Sequence, residues 1–433
     1  MRTMKDSGIE WIGQIPQEWD VCKIKNCFNV FAGATPKSGN SEFWDGDIVW
    51  VTPADYTTEQ KYISKGRKNI TREGFESCST EMIPTGSLIF SKRAPIGLAA
   101  INTVELCTNQ GCLSCVPLDE NDVEYFYYAF GCFSEQFDLY GSGTTFKEIS
   151  TDAFVNFSIP CPVPETQRKI SEYLRNRCAE IDALIAAKEK TNALLKERRQ
   201  SIIYEAVTKG LNPDAPMKDS GVEWIGTIPQ NSNIVRFKYL CDIFGRIGFR
   251  GYTQADIVAE GEGPITLSPS NIEAYGMDFS KCTYLTWDKY NESPEIQVGV
   301  GDILLVKTGS SYGKSAIIET IPMEATINPQ LVVVKNIKCN ARYLYYCMQT
   351  DCFAYQVERA VVGGTIPTMA QEKINNFIVV LPEDDLCEEI VVYLDQKCEE
   401  INRMVTANEA TIQKLKEYRQ SVIYEAVTGK IEI

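Results

Sequence analysis

The chain has 433 residues, 44% hydrophobic and 23% charged, with 43 Lys and Arg against 58 Asp and Glu, a formal net charge of −15 and no histidine. That length exceeds one typical domain, and the acidic balance argues against coating nucleic acid through bulk positive charge, while leaving room for local basic surfaces. Without histidine the commonest general base, the commonest metal ligand and every Ser-His-Asp or Cys-His arrangement are gone, so no catalytic residue and no metal ligand is assigned.

Residues 4–16 read MKDSGIEWIGQIP, with no apolar leader, and no segment approaches eighteen consecutive apolar residues. A cytoplasmic protein is expected, with its 16 cysteines reduced. Turn-bounded apolar runs at 47–51, 87–90 and 112–117 predict strands. A helix follows at 123–140, then the glycine loop GSGTTFKEIS at 141–150 and a proline cluster at 160–164. Residues 165–208 predict a helix of roughly 40 residues, about 60 Å long. Its apolar seam is Leu174, Cys178, Ile181, Ile185, Leu195 and Ile202, broken by Lys188, Asn192 and Arg199.

The chain is then written again. Residues 217–229 (MKDSGVEWIGTIP) repeat residues 4–16 at eleven of thirteen positions, an offset of 213. Strands are predicted at 303–306 and 331–334, a helix at 341–360, the loop VGGTIPTMA at 362–370, and a second long helix at 385–428. The last has its seam at Cys387, Val391, Leu394, Cys398, Ile401, Val405, Ile412, Leu415 and Val422, broken by Asn408 and Arg419. LKERRQSIIYEAVT (195–208) matches LKEYRQSVIYEAVT (415–428) at twelve of fourteen positions, now at an offset of 220. Between these anchors the halves diverge, from residue 37 to about 103 and from 249 to about 320. Each half is a variable block inside a near-identical frame, so the frames share one job and the blocks do different ones. Relaxed drift after duplication would blur the frames as well. Helices this long with a narrow seam need a partner, and an antiparallel pair is expected if the halves are related by a twofold axis, a cyclic arrangement with the termini close.

Two motifs carry less than they suggest. GSSYGKS (309–315) has three residues where a phosphate-binding loop needs four, and the residues after it predict a strand. Cys107, Cys112 and Cys115 have a metal-like spacing, yet the other half holds Ile327, Val332 and Lys335 at those places, so they are expected as small hydrophobes. No glycine-rich S-adenosylmethionine loop, methyltransferase tetrapeptide, helicase or nuclease signature is present.

What remains are polar and basic residues at matching loop tips. The first block offers Thr52, Asp55 and Tyr56; Ser91, Lys92 and Arg93; and Thr144, Thr145 and Lys147. The second offers Ser268, Ser270 and Asn271; Lys307, Thr308, Ser310, Ser311 and Lys314; Gly364 and Thr365; and Arg246 and Arg250 near its start. Lys and Arg anchor phosphates or read guanine, and Asn and Ser read base edges, so these are the candidate DNA contacts.

The sequence resembles type I restriction–modification specificity subunits over its whole length. The resemblance is carried by the MKDSGxEWIGxIP openings with Trp11, Trp19 and Trp224, the two long helices, the RQSxIYEAVT helix ends, and the GDI-type strand with its following lysine (Gly301–Lys307, with Gly86–Lys92 opposite). It implies an α+β fold: two pseudo-twofold-related globular target recognition domains (1–163 and 213–384) joined by two long antiparallel coiled-coil helices (164–212 with its linker, and 385–433). Each domain would read one half of an asymmetric bipartite DNA site, with the helices as a ruler between them. The frame would dock two modification subunits, which bind S-adenosylmethionine and methylate adenine, and through them restriction subunits that use ATP and magnesium. Trp11, Trp224, Tyr204, Glu205, Tyr424 and Glu425 are the expected docking residues. The chain itself would hold no cofactor and no active site. The alternative is a solitary or phage-borne recognition subunit that binds methyltransferases without a nuclease partner.

Overall fold

The computed structural model describes residues 2–57, 60–93, 95–143, 147–246, 250–273, 276–362 and 367–433. The chain divides into two compact units, Met1–Lys188 with Ala410–Ile433 (unit 1) and Glu189–Glu409 (unit 2). Mixed strands and helices in each make the fold α+β.

The main sheet of unit 1 runs in the order Phe28–Ala32, Cys112–Pro117, Leu88–Ser91, Ala99–Asn102, Tyr62–Ile63. Its centre is apolar on both faces, as a strand between two partners requires. Leu88, Ile89 and Phe90 are fully buried, and so are Cys112, Leu113 and Cys115. One face meets a cluster of phenylalanines, with Phe90 and Phe154 at 4.4 Å and Phe137 and Phe157 at 4.2 Å between ring centroids. Unit 2 repeats the order with Asp242–Gly245, Leu331–Lys335, Ile303–Val306 and Ser315–Ile317. It fills the matching core mostly with aliphatic chains.

The short helices are more broken than the sequence predicts. The helix expected at 123–140 is two, Val123–Cys132 and Ser134–Leu139, because Phe133 leaves helical geometry at φ −99°, ψ 16°. The one expected at 341–360 is also two, Ala341–Cys347 and Asp351–Ala360. There the Thr350 hydroxyl accepts from Phe353 N (3.3 Å) and so starts a new helix.

The long helices are Pro164–Lys209 and Asp384–Val427. The first opens on proline, whose missing N–H costs nothing there, and the second on Asp384 and Asp385, which complement the helix dipole. Each is followed by a glycine at positive φ, Gly210 (75°) and Gly429 (71°), the conformation that ends a helix most cheaply without a Cβ. In unit 1, Leu174, Cys178 and Ile181 are buried, and Arg419 Nε donates to Asp182 Oδ1 at 2.9 Å. In unit 2, Leu394, Cys398, Ile401 and Val405 are buried, and Asn408 Nδ2 donates to Asn192 Oδ1 at 2.9 Å. Ile185, Leu195 and Leu415 are only half-buried. No helix is long and apolar enough to cross a membrane among the described residues.

Candidate nucleic-acid interface

Unit 1 gathers four loop segments through backbone hydrogen bonds. The strand Trp44–Val51 runs into Thr52-Pro53-Ala54-Asp55, where Asp55 Oδ2 accepts from both Thr52 N and Thr52 Oγ1 at 2.7 Å. Asn109 N donates to Val51 O (2.9 Å), and Asn109 Oδ1 accepts from Gly111 N (2.9 Å). Lys92 N donates to Gly111 O (2.9 Å), and Ile149 N donates to Lys92 O (3.0 Å). Unit 2 builds the same chain of contacts from different residues. Asn271 Oδ1 accepts from Ser268 N and Oγ (2.9 and 3.0 Å), and Asn328 N donates to Leu267 O (2.8 Å). Lys307 N donates to Gln330 O (2.8 Å), and Met369 N donates to Lys307 O (2.8 Å). Backbone bonds of this kind fix where the tips stand, whatever the side chains are.

The structure therefore brings together Thr52, Lys92 and Arg93 in unit 1, and Ser268, Ser270, Lys307 and Thr308 in unit 2. Glu148 joins the first set, accepting from Lys92 Nζ (2.8 Å) and Arg93 Nε (2.7 Å). Partial burial works to raise its pKa, but the two cations outweigh this and hold the carboxyl below its ordinary value. Lys147 pairs with Asp138, and Lys314 donates to Ile272 O. Arg250 donates to Glu292 O (3.5 Å) and pairs with Glu295 (3.4 Å). Ser310 is exposed and Ser311 half-buried, in the turn between Ile303–Val306 and Ser315–Ile317. That turn is a hairpin, with Gly313 N donating to Val306 O (2.8 Å), and not a phosphate loop opening a helix. Thr144, Thr145, Gly364 and Thr365 lie outside the described residues.

Five of the expected contacts turn inward. Tyr56 is 2% exposed, in the core with its hydroxyl 3.7 Å from Cys112 Sγ. The Ser91 hydroxyl donates to Arg93 O and Pro95 O (both 2.8 Å) within the strand edge. Arg246, 4% exposed, donates to Ile327 O (3.0 Å), Thr326 Oγ1 (3.1 Å) and Arg250 O (3.2 Å). The Asn271 amide donates to Asp278 O and Lys281 O, both 3.0 Å. Asp55 also accepts from Arg67 N (2.9 Å), and its carboxylate is 3% exposed. These five shape loops and have no free polar face to offer DNA.

Sequence reasoning missed Asn109, Glu148, Asn328, Gln330 and Thr368. Their signal is the Asn-x-Gly or Asn-x-Gln turn that precedes a central strand in both halves, and the position just before each loop's buried apolar residue, Ile149 or Met369.

The frame residues are tied down internally as well. Trp11 packs on Phe133 (4.8 Å between centroids), and its carbonyl accepts from Tyr424 Oη (3.3 Å). Lys430 Nζ donates to the same hydroxyl at 2.8 Å. Trp224 lies half-buried on Tyr355 (5.3 Å). Tyr204 and Glu425 are half-buried, while Glu205 is exposed and accepts from Ser201 (3.2 Å).

Cys107 is buried in one strand and Cys112 and Cys115 in another, as small hydrophobes would be. A different trio meets: Cys22 and Cys27 Sγ are 2.9 Å apart, and Cys27 and Cys161 Sγ 3.8 Å. Unit 2 holds Val235, Leu240 and Leu381 at the matching strand and turn positions, so the thiols occupy an aliphatic space.

A family model for the type I restriction modification DNA specificity domain matches residues 16–196. The chain is 28% identical over 430 residues to the type I restriction enzyme MjaIX specificity subunit of Methanocaldococcus jannaschii, covering 98% of this chain and 95% of that one. A match at 26% identity to the HindI specificity subunit of Haemophilus influenzae covers 35% of this chain and 33% of that one. Among solved structures, a chain from work on complex assembly and conformational transition of the type I R-M system superposes with a TM-score of 0.72 at 16% identity, over 96% of this chain and 99% of that one. The HsdS subunit from Thermoanaerobacter tengcongensis gives 0.51 at 16% identity, over 96% and 98%. At that identity the superpositions speak for the fold.

Proposed function

We infer the function of this chain from its membership of the type I restriction–modification specificity subunits, whose role is to confer DNA sequence specificity. Unit 1 and unit 2 each take one half of an asymmetric bipartite DNA site, through the loop tips around Lys92–Arg93 and Lys307–Thr308. The frame docks two adenine methyltransferase subunits and, through them, restriction subunits. Chemistry, with its S-adenosylmethionine, ATP and magnesium, belongs to those partners, and this chain contributes recognition only.

One observation carries the reading. Both units hold the same backbone constellation of four loop segments, yet fill its tips with different side chains: Lys92, Arg93 and Glu148 against Lys307, Thr308 and Thr368. A shared scaffold with unlike tips is what two readers of unlike half-sites require.

The test is to express the chain with its modification subunits and map methylated adenines. One bipartite motif is expected, and tip substitutions in one unit should alter one half of it. Methylation that does not depend on this chain would sink the reading.

A further inference from the structure

Beside the lysine of its loop constellation unit 1 carries a carboxylate that unit 2 lacks. Isolated bridges join Arg93 to Glu148 in unit 1 and Thr308 to Thr368 in unit 2, so Thr368 stands where Glu148 stands and Thr308 where Arg93 does. Lys307 occupies the place of Lys92, with matching backbone bonds on both its N–H and its carbonyl. In unit 1 the lysine has Glu148 at 2.8 Å. In unit 2 the acid is absent, and the two threonine hydroxyls bond each other at 2.7 Å.

Lys307 is half-buried, and its ammonium has no ion pair or hydrogen bond among the described residues. The ammonium packs against a glycine: a Cβ on Gly245 would lie 3.2 Å from Nζ, closer than ordinary van der Waals contact. An ammonium withdrawn from water without a counter-charge is unfavourable, and burial here pushes its pKa below the usual lysine value. Folding tolerates such a group most readily where a ligand brings the missing acceptor.

We propose that Lys307 is the residue with which unit 2 holds an acceptor oxygen of DNA, at the position that unit 1 fills with the carboxylate of its own Glu148. The inference rests on the DNA-reading function above. Oxygen acceptors reach such a site from two sources, a backbone phosphate or a guanine O6.

The test uses the chain assembled with its modification subunits, as wild type, Lys307→Met and Thr368→Glu, binding a duplex with the mapped site and a scrambled duplex across a salt series. Thr368→Glu gives Lys307 the partner Lys92 already has, so it should hold or raise the melting temperature while weakening DNA binding. If the acceptor is a phosphate, both variants lose roughly tenfold affinity on both duplexes, and the log–log salt slope becomes shallower by about one. If it is a guanine, the loss is confined to the mapped site and one position of one half-site relaxes. Variants that bind both duplexes as wild type does, with an unchanged motif, overturn the proposal. A wild-type complex that binds neither duplex and leaves no methylated motif overturns the underlying function instead.

Discussion

Glu124 and Arg175 join a short helix of unit 1 to its long helix, with Arg175 Nε donating to Glu124 Oε1 at 3.1 Å. Unit 2 makes the same join with the charges exchanged, Arg342 Nε donating to Asp395 Oδ1 at 2.6 Å. The neighbouring tyrosines confirm the correspondence. Tyr125 donates to Pro160 O (2.9 Å) and Val427 O (3.2 Å), and Tyr343 to Val380 O (2.9 Å) and Val207 O (3.3 Å). The shared frame thus keeps an ion pair at one place while reversing its sign.

Reversal predicts how single changes behave. Arg175→Glu sets an acid against Glu124, whose side chain is 11% exposed, and should lower stability by about 1 kcal/mol, the Arg side being 56% exposed and partly screened. Asp395→Arg sets a cation against Arg342 with the same sign of effect. A cycle of Arg342→Asp with Asp395→Arg should recover more than half of the single losses, read from urea midpoints. Strictly additive losses would show that the pairs do not couple.

The duplication, the two long helices and the central strands were legible because each is a periodic or repeated signal. The helices begin at Pro164 and Asp384, one residue before the expected starts. Loop tips were legible as positions but not as side chains. Residue type cannot say which polar atom a turn consumes, and Asn271 and Asp55 are consumed by their own capping boxes while Arg246 is taken by a carbonyl and a hydroxyl of a distant strand. The Cys22–Cys27–Cys161 contact was invisible for another reason, since it spans more than a hundred residues and has no fixed spacing.

Gly429 and Gly210 end equivalent helices, but they should not be equally replaceable. Both sit at positive φ, so alanine at either should lose about 1 kcal/mol. At Gly429 a Cβ would also stand 2.4 Å from Pro16 Cγ and Cδ, whereas at Gly210 the nearest atom, on Pro229, is 3.5 Å away. Gly429→Ala should therefore lower the melting temperature by at least twice as much as Gly210→Ala. Equal losses would mean that Pro16 yields freely.

Glu148 predicts an acid limb. Its folded pKa lies below the ordinary carboxyl value of 4.5, so the folded state binds its proton less readily than the unfolded state. Its contribution to stability is present above 4.5 and is lost as pH falls through the lowered folded value. Glu148→Thr, copying unit 2, should flatten that part of the stability–pH curve below 4.5 and leave the neutral region almost parallel to wild type. A wild-type slope retained in the variant would remove Glu148 from the acid limb.

Asn192 and Asn408 predict the opposite signs for one change and for two. The Asn408 amide donates to Asn192 Oδ1 at 2.9 Å, and Asn192 is 7% exposed in a largely apolar seam. Asn192→Leu alone leaves a polar group facing an aliphatic one, at a cost of about 1–3 kcal/mol. Asn192→Leu with Asn408→Leu removes both polar groups and extends the apolar seam, so the double variant should be more stable than either single one and at least as stable as wild type. Its register should be less well defined, because a polar pair penalises a slipped seam and leucines do not. Thermal melts check the first claim. Cysteine pairs engineered in and out of register across the seam check the second: wild type should cross-link in register only, and the double variant in both. A double variant that is less stable than both singles would show that the amides contribute more than register.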